Sequence, residues 1–178
     1  MELSLSSEHA VSNSKTTKTW PWMVSLGYRN HSNQQWNHIC GGSIISDYHI
    51  LTAAHCCKAL EKQKINITDW EIIYGDNNLE DAARGGKYIR ECFKHDLYDG
   101  ESAYYDVAIL DLEDKFTFET RKARPVCLPT KPNSIDNRNR DMVRVMGWGG
   151  TSHAETYNQD LHVAKINIFS HRYVLIYN

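Results

Sequence analysis

The chain has 178 residues, long enough for one domain or a divided one with a sizeable core. A formal net charge of −2 and the absence of any basic tract argue against a nucleic-acid partner and against polybasic attachment to a membrane. No run approaches the roughly 18 apolar residues of a spanning helix, and residues 1–18 lack the apolar stretch of a secretory leader.

In chain order, residues 1–19 are rich in Ser, Thr and Lys and predict a loop or loose terminus. Trp20-Pro21-Trp22-Met23-Val24-Ser25-Leu26-Gly27 predicts a half-buried strand with Pro21 at its start. Residues 28–38 predict a polar loop. Between Cys40 and Cys56, Ile44-Ile45 predicts one strand, Ser46-Asp47 a turn, and His49-Ile50-Leu51-Thr52 a returning strand. His55 follows two alanines, small enough to leave one imidazole edge open. Residues 58–90 carry two strand-like pieces, 70–74 and 87–90, around an acidic loop at 75–81. Residues 105–112 form a near-continuous apolar strand led by Asp106. Residues 113–141 are charged and irregular apart from Pro125-Val126-Cys127-Leu128-Pro129, and strand patterns resume at 143–149 and 161–168. No repeat occurs at a fixed period.

Five cysteines and two sequons, Asn30-His31-Ser32 and Asn66-Ile67-Thr68, point to an oxidised, secreted protein with candidate N-glycosylation at Asn30 and Asn66. A cytosolic β-domain with free thiols is the competing expectation, and it leaves the order of the motifs unexplained. A metal site built from His31, His38, Cys40, His55, Cys56 and Cys57 fits poorly. The stretch has no C-x-x-C or H-x-x-x-H spacing, and adjacent residues point in different directions.

Four motifs occur in one order: WPWMVSL, CGGSIIS with LTAAHC, YDVAILDL and VMGWG. Together they resemble the trypsin/chymotrypsin-like serine protease family over roughly residues 8–170. HDLY resembles the family's H-P-x-Y turn with Asp96 in place of proline, and PVCLP resembles its inter-barrel connector. The resemblance implies an all-β, chymotrypsin-like Greek-key double barrel with the first barrel complete and the second truncated. On that pattern 1–19 is a polar N-terminal segment and 20–112 the first barrel. Residues 113–141 form the connector and 142–178 the opening strands of the second barrel.

The resemblance also implies the chemistry. His55 takes the place of the catalytic base and Asp106 that of the acid orienting it. Cys40 would pair with Cys56, tying the histidine's turn to the preceding strand. Cys57 and Cys92 match no cysteine of the family pattern; on that pattern both should lie near the barrel wall, which makes a Cys57–Cys92 pair one candidate and leaves their pairing open. Cys127 resembles a connector cysteine whose partner the chain lacks. Asp76 and Asn78 could occupy two places of the family's calcium loop. However, Gly85-Gly86-Lys87 stands where a later acidic ligand would be, so a solvated loop and no cofactor are expected.

The family's G-D-S-G-G serine loop does not occur, Ser43 falls at a structural strand position, and no Ile-Val-Gly-Gly start is present. The chain is therefore expected to be part of a serine endopeptidase acting on proteins or peptides and binding protease inhibitors, and to be inactive alone. A non-catalytic homologue serving as a binding module is the alternative.

Overall fold

Six strands close on themselves into an antiparallel barrel: β2 (Met23–Arg29), β3 (Trp36–Ile44), β4 (His49–Thr52), β7 (Ala108–Leu112), β6 (Lys87–Lys94) and β5 (Trp70–Tyr74), in that spatial order. The computed structural model describes residues 12–80, 86–119, 121–129, 142–150 and 157–167. Closure comes from β2, which pairs with β3 on one side and with β5 on the other. A second, three-stranded sheet has the order β1 (Ser12–Lys15), β9 (Tyr157–Asn167), β8 (Met142–Gly149).

Val24, Leu26, Ile44, Ile50, Ile72, Ile89, Leu110 and Leu112 fill the barrel, each fully buried. β2 was expected to be half-buried, yet Met23 through Gly27 are all buried. The reason is a second core on the outside of the wall. Successive strand residues face opposite sides, so Val24 and Leu26 point into the barrel while Met23 points out. With Trp36, Ile73 and Leu79, Met23 packs against Trp148 and Leu161 of the second sheet. Polar bonds fix that contact: Trp148 Nε1 and the Leu161 N–H both donate to the Asn77 carbonyl, at 3.0 and 2.7 Å.

Three expectations change. Residues 28–38 are not all loop, because β2 continues through Arg29 and β3 begins at Trp36. Ser12–Lys15 is a strand rather than a loose terminus: backbone groups along β9 take it as a partner, which requires no apolar side chains. Residues 54–62, where only the histidine's turn was expected, form the helix α1 (Ala54–Lys62), followed by a 3-10 turn at Ile67–Asp69. Residues 1–11 and 168–178 lie outside the described residues.

Two disulfides staple α1. Cys40–Cys56 links it to β3 and Cys57–Cys92 links it to β6, with Cα separations of 5.9 and 6.6 Å. Adjacent helical residues point about 100° apart, so two neighbouring cysteines reach two different strands. In the chain-entropy picture each bridge contributes about 3–4 kcal/mol by restricting the unfolded chain. Cys127 is exposed and unpaired.

Gly27 sits at a register shift in β2, where an added Cβ would lie 2.0 Å from the Asn37 carbonyl oxygen. Backbone on the facing strand cannot yield as a side chain can, so Gly27→Ala should cost about 1–3 kcal/mol or more. Urea or thermal unfolding measures this, and an unchanged midpoint would contradict it.

Between the two cores lies a polar pair: Ser25, fully buried, bonds His38 Nδ1 at 2.7 Å and accepts from Trp36 Nε1 at 3.0 Å. Trp148 and Tyr157 pack on the same imidazole. Burial lowers the His38 imidazole from its ordinary 6.5 to about 4. The unfolded chain then binds a proton more readily than the folded one. Stability is complete above about pH 6.5 and falls as pH drops toward 4, by on the order of 3 kcal/mol. His38→Gln should flatten that part of the stability-versus-pH curve, and an unaltered slope would show that another group carries it.

Candidate active site

His55 and Asp106 meet because β4 and β7 are neighbours. Thr52 pairs with Ala108 at the end of that ladder, so the chain leaving β4 and the chain entering β7 emerge side by side. His55 comes three residues after Thr52, in the first turn of α1, and Asp106 two residues before Ala108.

His55 Nδ1 donates to Asp106 Oδ2 at 2.6 Å, and the His55 backbone N–H donates to Oδ1 at 2.8 Å. The Ala54 N–H also bonds the carboxylate. α1 has no side-chain cap of its own: Ala53 occupies the cap position with extended backbone angles. The first N–H groups of a helix lack partners within it, and Asp106 supplies one from the chain entering the neighbouring strand. One carboxylate thus caps the helix and holds the imidazole. Burial pushes the Asp106 carboxyl up. The hydrogen bonds from the His55 ring and from the His55 and Ala54 N–H groups, with the imidazole's charge, outweigh it and hold the group below its usual range.

With Nδ1 held by Asp106, Nε2 is the ring nitrogen left open. It lies 3.6 Å from Cys56 Sγ and 4.0 Å from Cys40 Sγ. Those sulfurs form a disulfide and have no proton to give to Nε2, and the His55 side chain is 59% exposed. Cys40, His55 and Cys56 lie within 4.8 Å of one another. That closeness follows from the disulfide, which leaves no thiolate for a metal.

The backbone before Asp106 is turned sharply. Tyr105 has φ +57°, a conformation that tyrosine rarely adopts. Its ring stacks on His95 at 4.9 Å, and its carbonyl accepts the Val107 N–H. No sequence signal announces this turn, since Asn or Gly is the usual marker of such a backbone. The donors at Ala54 and His55 were equally invisible, being backbone groups. Tyr98 lies beside the pair, its phenol raised by burial first and then by Asp106 and Asp99.

Three of the described serines are poorly placed to serve as nucleophiles. Ser43 lies within β3 opposite Leu51. Ser25 is buried against His38. Ser46 Oγ bonds His49 Nδ1 at 2.7 Å but also accepts the Tyr48 and His49 N–H groups of its turn. His49 Nε2 is 3.8 Å from Asp111, beyond hydrogen-bond distance. At the loop where the resemblance offers two calcium places, Asp76 Oδ1 accepts the Asn77 N–H and Asn78 Oδ1 accepts the Glu80 N–H. Residues 81–85 lie outside the described residues.

Comparison with known proteins decides the family. The sequence model of the Trypsin family matches residues 11–176. The chain belongs to the trypsin family. Its all-β architecture with a closed six-stranded barrel is the chymotrypsin-like fold. A venom serine protease of Bombus ignitus is 31% identical over 154 residues, which is 85% of this chain and 42% of that protein. Human transmembrane protease serine 5 is 30% identical over 80% of this chain and 29% of its own length. Bovine coagulation factor XI is 30% identical over 85% of this chain and 23% of its own length. The chain therefore spans less than half the length of these curated relatives, and a protease-type function is supported at family level. Among the described residues no helix is long and apolar enough to cross a membrane.

Because Asp106 both caps α1 and holds His55, Asp106→Ala should cost about 1–2 kcal/mol. It should also speed hydrogen exchange at the Ala54 and His55 amides. The folded carboxyl is depressed, so its contribution is complete above the usual carboxylate range and is lost as pH falls through the folded value. Unchanged exchange at both amides would refute the capping role.

Proposed function

We propose that His55 and Asp106 are the base and orienting acid of a secreted, trypsin-like serine endopeptidase that cleaves proteins or peptides and is open to protease inhibitors. The observation that carries this reading is the 2.6 Å bond from His55 Nδ1 to Asp106, which engages one ring nitrogen and leaves Nε2 on an exposed side chain without a hydrogen-bond donor among the described residues. In the family's template mechanism, Nε2 takes the proton of the attacking serine and later delivers it to the leaving amine. The aspartate meanwhile fixes the tautomer and stabilises the imidazolium.

The nucleophile and the oxyanion donors belong in that template to a G-D-S-G-G loop, a string the 178 residues do not contain. Turnover therefore requires a polypeptide that also carries such a loop. Without it neither attack on the carbonyl nor stabilisation of the tetrahedral intermediate has its groups.

A serine-directed fluorophosphonate probe should leave the 178-residue chain unlabelled. A version extended through a G-D-S-G-G segment and proteolytically activated should label. In that protein His55→Ala should abolish labelling. Asp106→Asn should lower turnover about 10⁴-fold, the loss seen in the family's type enzyme when the wrong tautomer is enforced. Stoichiometric labelling of the 178-residue chain at one of its own serines would overturn the assignment. Failure of the extended protein to label would favour the alternative, a scaffold retained for binding.

A further inference from the structure

We propose that Asn66 carries an N-linked oligosaccharide whose first sugars lie in the groove that opens beside it, over the Cys57–Cys92 disulfide. This rests on the secretory reading above, since the modification takes place in the secretory pathway.

The groove runs between α1, the 3-10 turn and β6 and has a volume of about 440 Å³. Ile65, Ile67 and Trp70 give it apolar wall, Glu61 and Glu91 give it carboxylates, Lys64 gives it an ammonium, and Cys92 is part of its lining. A pyranose ring presents C–H groups on its faces and hydroxyls on its rim. It suits a surface that alternates aliphatic side chains with hydrogen-bond acceptors.

Asn66 itself is built for attachment. It is exposed and occupies the cap position of the 3-10 turn with extended angles, φ −62° and ψ 143°. An asparagine there ordinarily bonds a backbone N–H of the turn, but its side chain makes no capping bond. The turn is closed instead by its backbone carbonyl, which accepts the Asp69 N–H at 2.9 Å. The amide can therefore be derivatised without taking a bond from the fold. Thr68, which completes the sequon, is exposed as well. The other sequon differs: Asn30 Oδ1 is held by the Ser32 N–H and hydroxyl at 2.9 and 2.6 Å.

In the covalent step the Asn66 amide nitrogen attacks the anomeric carbon of a lipid-pyrophosphate-linked oligosaccharide. The N–C bond forms, the anomeric C–O bond breaks, the lipid pyrophosphate leaves with the electron pair, and the nitrogen gives up one proton. No electron transfer is involved. Once the chain has folded, the sugars cover the route by which a reductant reaches Cys92, which is only partly buried, whereas Cys57 is fully enclosed.

The test expresses the chain behind a cleavable leader in eukaryotic cells and reads the peptide containing Asn66 by mass spectrometry, in cells and medium together. Most chains that have lost the leader should carry a glycan at Asn66, and amide-cleaving glycosidase should convert that residue to aspartate. Unmodified Asn66 in leader-processed chains would overturn the proposal, whatever happens at Asn30. The secretory reading is tested apart from this, by whether the product of the natural transcript reaches the medium. For the groove, reduction of Cys57–Cys92 should be several-fold slower in glycosylated protein than in Asn66→Gln or Thr68→Ala, with Cys40–Cys56 unaffected. Folded glycoprotein stripped of its sugar by glycosidase controls for variants that fold badly. Equal reduction rates before and after stripping would overturn the placement of the sugars.

Discussion

The Asp106 carboxylate at the start of α1 is the contact on which the rest of the structure depends. It accepts from the His55 ring, the His55 N–H and the Ala54 N–H at once. Each bond requires a different part of the fold. The ladder between β4 and β7 must be in register, the helix must begin at Ala54, and Tyr105 must hold its unusual backbone angle. A one-residue slip in the ladder would turn every side chain of β7 to the opposite face. The position of the base is thus tied to the same hydrogen bonds that stabilise the helix, and stability and chemistry cannot be tuned separately at this point.

The barrel wall serves two cores. β2 and β5 are lined with large apolar side chains on one side, while Met23, Trp36 and Ile73 face the second sheet on the other. Neither face of these strands meets water over residues 23–27 and 70–73, and Ser25 and Glu71 are buried with the apolar residues. Burying Ser25 and His38 between the two layers is tolerable because the two groups satisfy each other and Trp36 Nε1 donates to the serine. This polar island makes the contact between the layers sensitive to acid, as the depressed imidazole requires.

Much of this was legible in the sequence. The order of the four motifs placed the barrel, and the strands at 49–52, 70–74 and 143–149 fell where alternation and β-branched residues put them. The juxtaposition of His55 with Asp106 and the pairing of Cys40 with Cys56 followed from the resemblance rather than from periodicity. The helix at 54–62 was missed for a physical reason. It is a short helix, so its apolar positions span too few turns for a 3.6-residue period to emerge, and no Ser, Thr, Asp or Asn marks its start. Its cap comes from Asp106, far away in the sequence. The edge strand at Ser12–Lys15 was invisible because a backbone ladder forms it and needs no apolar pattern in the sequence. The left-handed turn at Tyr105 was hidden because tyrosine does not advertise it.

The neighbouring cysteines of α1 carry a consequence for how the chain acquires its bonds. Cys40 could oxidise with Cys56 or with Cys57, and the two loops differ by a single residue, so chain entropy hardly distinguishes them. Discrimination must come from the helix itself, whose phase aims one sulfur at β3 and the other at β6. An exchanged pair would rotate the helix by about one residue's turn, roughly 100°, and carry His55 away from its carboxylate. The helix must therefore take shape before its bridges are locked, or an isomerase must reshuffle them afterwards. Oxidation that outruns helix formation would yield a fully bridged molecule with its base pointing the wrong way.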